Sequence, residues 1–275
     1  MDLSRLPRLA EVVRAAGLAP DRRLGQHFLL DPAVLARVAA SAGPIEGRPV
    51  VEVGPGPGGL TRALLERGAF VTAIEKDPRC VEALRPLVAA AEGRLRVIGG
   101  DALRLPLAEV ADAPATVVAN LPYNVGTALL VGWLHELDRV RAMHLMFQRE
   151  VALRLGAAPG GADYGRLSVL AQLLCRVERR FDLPPGAFQP PPKVRSSVVS
   201  LWPLESRPEG TRLRALERVT AAAFGQRRKM LRSSLNGLGQ APEALAEAAG
   251  VSATARAETL APAQFLKMAE RLVGG

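Results

Sequence analysis

Between Val50 and Trp202 the chain alternates two kinds of apolar pattern. Short runs rich in β-branched and other apolar residues, "VVEV", "FVTAI", "LRVI", "ATVVA", "AMHLMF", "VERRFDL" and "SSVVSLW", read as strands. Among them lie longer stretches such as "GLTRALLERG" and "DPRCVEALRPLVAAAEG", whose apolar residues return at helical spacing. This alternation predicts an α/β fold, an open Rossmann-like sheet with helices on both faces. Two helices are expected ahead of the sheet. One covers about Leu3 to Ala16, and the other begins at Asp31, where Asp31-Pro32 supplies a cap and a first-turn proline.

After Trp202 the pattern changes. "PLESRPEG" is polar and proline-containing, and everything beyond it is helix-like with no strand candidate. The boundary is expected near Glu205, giving a sheet domain over 1–205 and a small all-helical domain over 206–275. Three amphipathic helices are expected in the latter, within "GTRLRALERVTAAAFGQRRKMLRSSLNGLG", "APEALAEAAGV" and "LAPAQFLKMAERLV".

Composition narrows the function. No apolar run reaches the ~18–20 residues of a membrane span, and "MDLSRLPRLAEVVRAAG" lacks the apolar core of a secretory signal. A cytoplasmic protein with no membrane partner is expected, and a monomer. Cys80 and Cys175 have no Cys or His at ligand spacing, so neither a disulfide nor a metal site is expected. His27, His135 and His144 sit in no recognisable triad, so the chemistry must rest on something other than a neutral-pH base. A formal charge of +9 favours a polyanionic partner, nucleic acid foremost.

The strongest local signal is "VVEVGPGPGGLTRALLERG", a strand running into a glycine-rich turn and then a helix. Gly54, Gly56 and Gly58 allow a tight turn and close approach to a ligand. Glu75 closes the next strand about 20 residues on, where an acid can accept both hydroxyls of a ribose. Gly54, Gly56 and Gly59 also satisfy the nicotinamide-dinucleotide pattern. Pro55 and Pro57, however, remove two amide donors that a pyrophosphate would need, so a phosphate-free adenosine cofactor fits better. Asp101, after the third strand, is placed to accept from an adenine amino group.

"VVANLPYNVGTALL" ends the fourth strand at Asn120-Leu121-Pro122-Tyr123, on the same sheet edge. The Asn120 side-chain carbonyl, with the backbone carbonyl of Leu121 or Pro122, can accept from an exocyclic amine while Tyr123 stacks on its base. Such an amine is a poor nucleophile because its lone pair is delocalised into the ring. Two acceptors that draw its N–H bonds out of plane free the lone pair to attack a sulfonium methyl. Stacking needs the Tyr123 ring, and its hydroxyl is expected to be dispensable.

"NLPY", with "EVGPGPGGLT", "AIEKD", "GDAL" and "GQHFLLD", resembles the KsgA-type ribosomal RNA adenine dimethyltransferases, a branch of the class I S-adenosylmethionine-dependent methyltransferases. "FDLPPGAFQPPPKVRSSVV" and "FGQRRKMLRSSL" are similar to that family's later motifs, and the likeness runs from about Gly25 to Leu235. The resemblance implies N6 dimethylation of two neighbouring adenosines near the 3′ end of small-subunit ribosomal RNA, on the immature subunit. It implies that His27 and Leu29 contact the cofactor, that Gly54 lies under its methionine part, and that Glu75 and Asp101 hold ribose and adenine. Asn120 would then serve both cofactor and target. Some relatives carry Asn where His27 stands, which argues against an acid/base role for it.

Phe181 reads either as an ordinary core residue or as a ring facing Tyr123 across a flipped base. The resemblance implies the second. Two basic clusters, Arg176, Arg179 and Arg180, and Arg227, Arg228, Lys229 and Arg232 on an expected helix, suggest a phosphate track that Arg22 and Arg23 can join. Two rivals share these features: an Erm-type enzyme acting on large-subunit RNA, and a nucleic-acid-binding assembly or transcription factor that keeps the fold without turnover.

Overall fold

A computed structural model describes residues 1–18, 26–226 and 228–274. In chain order come α1 (Leu9–Ala15), β1 (Phe28–Leu29), α2 (Pro32–Ser41), β2 (Pro49–Val53), α3 (Gly59–Glu66), β3 (Phe70–Glu75), α4 (Pro78–Ala83) and α5 (Arg85–Ala90). They are followed by β4 (Leu95–Gly99), α6 (Leu107–Val110), β5 (Ala115–Asn120), α7 (Gly126–Leu134), β6 (Val140–Gln148), α8 (Arg149–Leu155) and α9 (Arg166–Leu174). Then come β7 (Cys175–Leu183), β8 (Phe188–Gln189), β9 (Ser196–Pro203), α10 (Gly210–Gly225), α11 (Leu231–Ser234), α12 (Pro242–Ala248) and α13 (Pro262–Gly274).

Seven of the described strands form one sheet in the order β4-β3-β2-β5-β6-β9-β7. The five from β4 to β6 are parallel, and β9 runs antiparallel to β6. The central strands are covered on both faces: Val50, Val51, Val117 and Val118 are all buried. Burial on both faces is why these runs read as continuously apolar. From β2 the chain winds outward to β3 and β4, then returns to β5 on the other side. That reversal between β2 and β5 is a topological switch point, where ligands of open α/β sheets bind.

All seven sequence-predicted strands form. α2 starts as predicted, with the Asp31 carboxylate accepting from Ala33 and Val34 N–H and Pro32 in the first turn. The stretch over 77–93 forms two helices rather than one. The break falls at Leu84, because Pro86 cannot donate to the preceding turn.

The chain divides into two compact units, Met1–Arg149 with Glu178–Trp202, and Glu150–Val177 with Pro203–Gly275. A single break near Glu205 misses the part of the second unit that precedes it, because α9 lies between β6 and β7 in sequence yet packs with α10 and α13. Tyr164 shows why. It is fully buried, its hydroxyl donates to the Leu260 carbonyl at 2.8 Å, and its ring meets Phe224, which in turn stacks on Phe265. The long basic stretch expected as one helix also divides. α10 ends at Gly225 and α11 starts at Leu231, since the chain turns away to pair elsewhere: Met230 bridges Arg256, and the first two α11 residues, Leu231 and Arg232, donate their N–H to Ala255 and Ala253 carbonyls.

Candidate active site

The parallel register delivers Gly54, Glu75, Asp101 and Asn120 to one sheet edge, where a cleft opens at the switch point. Its lining includes His27, Leu29, Gly54, Glu75, Asp101, Asn120, Leu121, Pro122 and Tyr123. Nine of the ten candidate catalytic and cofactor positions are thus brought together. The exception is Phe181.

The glycine loop has a specific shape requirement at Gly56. Its φ is +55°, and a Cβ there would sit 3.1 Å from the Phe28 ring. Its N–H donates to one Glu75 carboxylate oxygen at 3.0 Å, while the other oxygen accepts from Asp77 N–H at 2.8 Å. Burial raises the Glu75 carboxyl above its ordinary value, and these N–H donors oppose the rise. Each oxygen keeps acceptor capacity for a ligand hydroxyl.

Asp77 ties the cleft to the segment before β1. Its carboxylate caps α4, pairs with Arg79 at 2.6 Å and accepts from the Gln26 amide at 3.0 Å. The Arg79 hydrogen bond, with smaller help from Gln26, lowers its carboxyl to about 2. Asp101 accepts from Lys76 at 2.7 Å and from Leu103 N–H at 3.1 Å, and the Lys76 contact foremost lowers its carboxyl. Carboxylates at Glu75 and Asp101, and prolines where a pyrophosphate would want donors, fit an adenosine-type cofactor without phosphates.

At the end of β5 the Asn120 side-chain amide donates to the His27 carbonyl at 3.1 Å. Its Oδ1 has no partner among the described residues and is free to accept. The two candidate backbone carbonyls are not equivalent. Pro122 accepts from Val125 and Gly126 N–H and starts α7, whereas the Leu121 carbonyl accepts nothing among the described residues. Leu121 is therefore the second acceptor the turn offers. Tyr123 is half-buried, its ring 5.3 Å from the His27 ring and its hydroxyl 2.6 Å from the Ser196 hydroxyl. His27 Nδ1 lies 2.8 Å from the Pro190 carbonyl, to which it can donate.

Phe181 has a different setting from the one expected. It packs against the core cluster that includes Leu183 and Phe188, with the Arg37 guanidinium 3.9 Å above its ring. The ring beside Tyr123 is His27. On the basic surface, Arg179 pairs with Asp182 at 2.7 Å and Arg180 with Glu178, while Arg176 is exposed on the same strand, β7. Arg228 and Lys229 lie in the turn before α11, Arg232 lies on it, and all three are exposed. Arg22, Arg23 and Arg227 lie outside the described residues.

Sequence reasoning missed Gln26, Asp77, Lys76, Ser196 and Glu52. Glu52 lines the cleft floor, is 1% exposed, and has one carboxylate oxygen without a partner among the described residues. Burial pushes it up to about 8. An acid inside "VVEV" was the available signal.

A class I methyltransferase sheet with a phosphate-free adenosine cleft at its switch point defines an S-adenosylmethionine-dependent methyltransferase. The model of the family described as ribosomal RNA adenine dimethylase matches residues 19–273, and the chain belongs to that family. It is 57% identical to the ribosomal RNA small subunit methyltransferase A of Caulobacter vibrioides, covering 92% of this chain and 98% of the relative. A dimethyladenosine transferase from Plasmodium falciparum superposes with a TM-score of 0.74 at 26% identity, covering 88% of this chain and 96% of that one. The 23S rRNA methyltransferase ErmE gives 0.66 at 30% identity, covering 90% and 99%.

Proposed function

We propose that this chain transfers methyl groups from S-adenosylmethionine to N6 of two adjacent adenosines near the 3′ end of 16S ribosomal RNA, during small-subunit assembly in the cytoplasm. The observation that carries this reading is the convergence of Glu75, Asp101, Asn120 and Tyr123 on one cleft. The choice of RNA follows the 57% identity to a small-subunit enzyme, against 30% to the 23S enzyme.

The bound cofactor supplies a methyl group on a positively charged sulfur. Glu75 would accept from its ribose and Asp101 from its adenine amine, and His27 and Leu29 would close the cleft beside it. Asn120 Oδ1 and the Leu121 carbonyl accept from the two target N–H bonds and turn the amine lone pair out of the ring plane. Tyr123 stacks on the base, which must leave its own stack to reach the cleft. With the amine so held, transfer of the methyl to the target nitrogen, with cleavage of its bond to sulfur, would leave a surplus proton on that nitrogen to pass to solvent. Because the acceptors orient the amine and no strong base is required, the absence of a histidine triad is no obstacle. Arg228, Lys229 and Arg232, with Arg227, bind RNA phosphates.

Under-methylated small subunits incubated with the protein and S-adenosylmethionine should yield dimethyladenosine in 16S RNA, read by nucleoside mass spectrometry and primer extension. Modification of 23S RNA alone would replace this reading with the Erm-type one, and no modified adenosine would leave an assembly factor.

A further inference from the structure

The proposed reaction needs Tyr123 to present its ring at a fixed angle, yet Tyr123 sits in a turn between β5 and α7. A single tyrosine ring in a turn keeps rotational freedom unless something holds its far end. Ser196 does so. Its side chain is fully buried, and the first β9 residue is fixed by antiparallel pairing with Gln148 at the end of β6. Side chains alternate along β9. Ser197 uses its hydroxyl on Asp182 at 2.6 Å, and Ser196 meets the Tyr123 hydroxyl, also at 2.6 Å. The His27 ring lies beside the same tyrosine and is itself held through the Pro190 carbonyl, six residues before Ser196 in the chain.

We infer that Ser196 is a positioning residue, whose hydroxyl anchors Tyr123 at the angle in which the target adenine stacks. The inference rests on the proposed methyl transfer for its kinetic consequence, but not for its structural one. Removing Tyr123 from its anchor leaves cofactor and phosphate contacts intact, so the loss falls on the rate of transfer and not on binding.

The test combines single-turnover methylation of under-methylated subunits with fluorine NMR of protein carrying 3-fluorotyrosine. The chain has two tyrosines, and Tyr164, bonded to the Leu260 carbonyl, serves as the internal reference. Ser196→Ala should slow transfer by about three- to tenfold, the effect of one hydrogen bond, with cofactor and RNA affinities unchanged. Because the hydroxyl expected from sequence to be dispensable is the one Ser196 holds, Tyr123→Phe should slow transfer equally, the double variant no further, and Ser196→Thr should recover most of the rate. In Ser196→Ala the Tyr123 resonance should move while that of Tyr164 stays. An unmoved Tyr123 resonance, or rate losses that multiply in the double variant, overturns the assignment. Wild-type protein that methylates no adenosine would sink the proposed reaction alone, because the resonance still decides whether Ser196 holds Tyr123.

Discussion

The Gly56 N–H donates to the Glu75 carboxylate at 3.0 Å across the glycine loop, so the acid that can hold a ribose also shapes the turn beneath it. Asp77 N–H completes the arrangement on the other oxygen at 2.8 Å. One side chain therefore links the ends of β2 and β3 and presents spare lone pairs to the cleft. Glu75→Ala should weaken S-adenosylmethionine binding by on the order of 2–4 kcal/mol, since two charge-assisted hydrogen bonds to ribose and the loop's support go together. Calorimetry returning wild-type affinity would remove Glu75 from the cofactor site.

Asn120→Ala should slow methyl transfer ~10²-fold or more while barely changing RNA affinity, because a preorganised acceptor acts on the reacting amine whereas phosphates supply most of the docking energy. The Asn120 amide also holds the His27 carbonyl at 3.1 Å, so cofactor affinity should fall modestly in the same variant. Single-turnover rates at saturating cofactor separate the two effects. A normal rate there would reduce "NLPY" to an ordinary turn.

How much of this was legible in the sequence depended on how local the determinant is. Strand runs, the Asp31-Pro32 start of α2 and the positions of Gly54, Glu75, Asp101 and Asn120 follow from periodicity and from the sheet edge to which parallel strands deliver their ends. Long-range pairings left no such trace. Nothing near Tyr123 in sequence announces Ser196, and nothing near α9 says that its packing partners lie beyond Trp202. The basic stretch after Gly225 carries a helical pattern, yet its backbone donates to residues 253–255. Tertiary pairing there outweighs local propensity. Phe181 was ambiguous because a lone aromatic on a strand gives no sign of which neighbour covers it.

That non-helical turn sets out Arg228 and Lys229 in the open, and they carry the next expectation. Arg227, Arg228 and Lys229 changed together to Ala should weaken binding to small-subunit RNA and flatten its dependence on salt, by roughly one unit of slope for each phosphate no longer neutralised. Cofactor affinity should not change. Binding measured across a salt series checks this, and an unaltered slope would make the cluster a solvated surface with no RNA role.

Two buried ionisable groups on the central strands should leave opposite marks on stability. His144 is 2% exposed, with Nδ1 2.8 Å from the Ser200 hydroxyl and its ring edge against Trp202. Burial, with the Arg180 charge, lowers it from 6.5 to about 4. Its stabilising contribution is complete above 6.5 and is lost as pH falls through 4. Glu52 is raised from 4.5 to about 8, so its contribution is complete below 4.5 and is lost as pH rises through 8. Between 4.5 and 6.5 the unfolded chain gains the proton that His144 refuses and gives up the one that Glu52 keeps, and the two slopes of about 1.4 kcal/mol per pH unit cancel. Urea unfolding across pH should show this directly. His144→Gln should uncover stability that declines as pH rises over that window, and Glu52→Gln stability that climbs. Equal slopes for wild type and Glu52→Gln would mean that Glu52 is ionised in the folded protein.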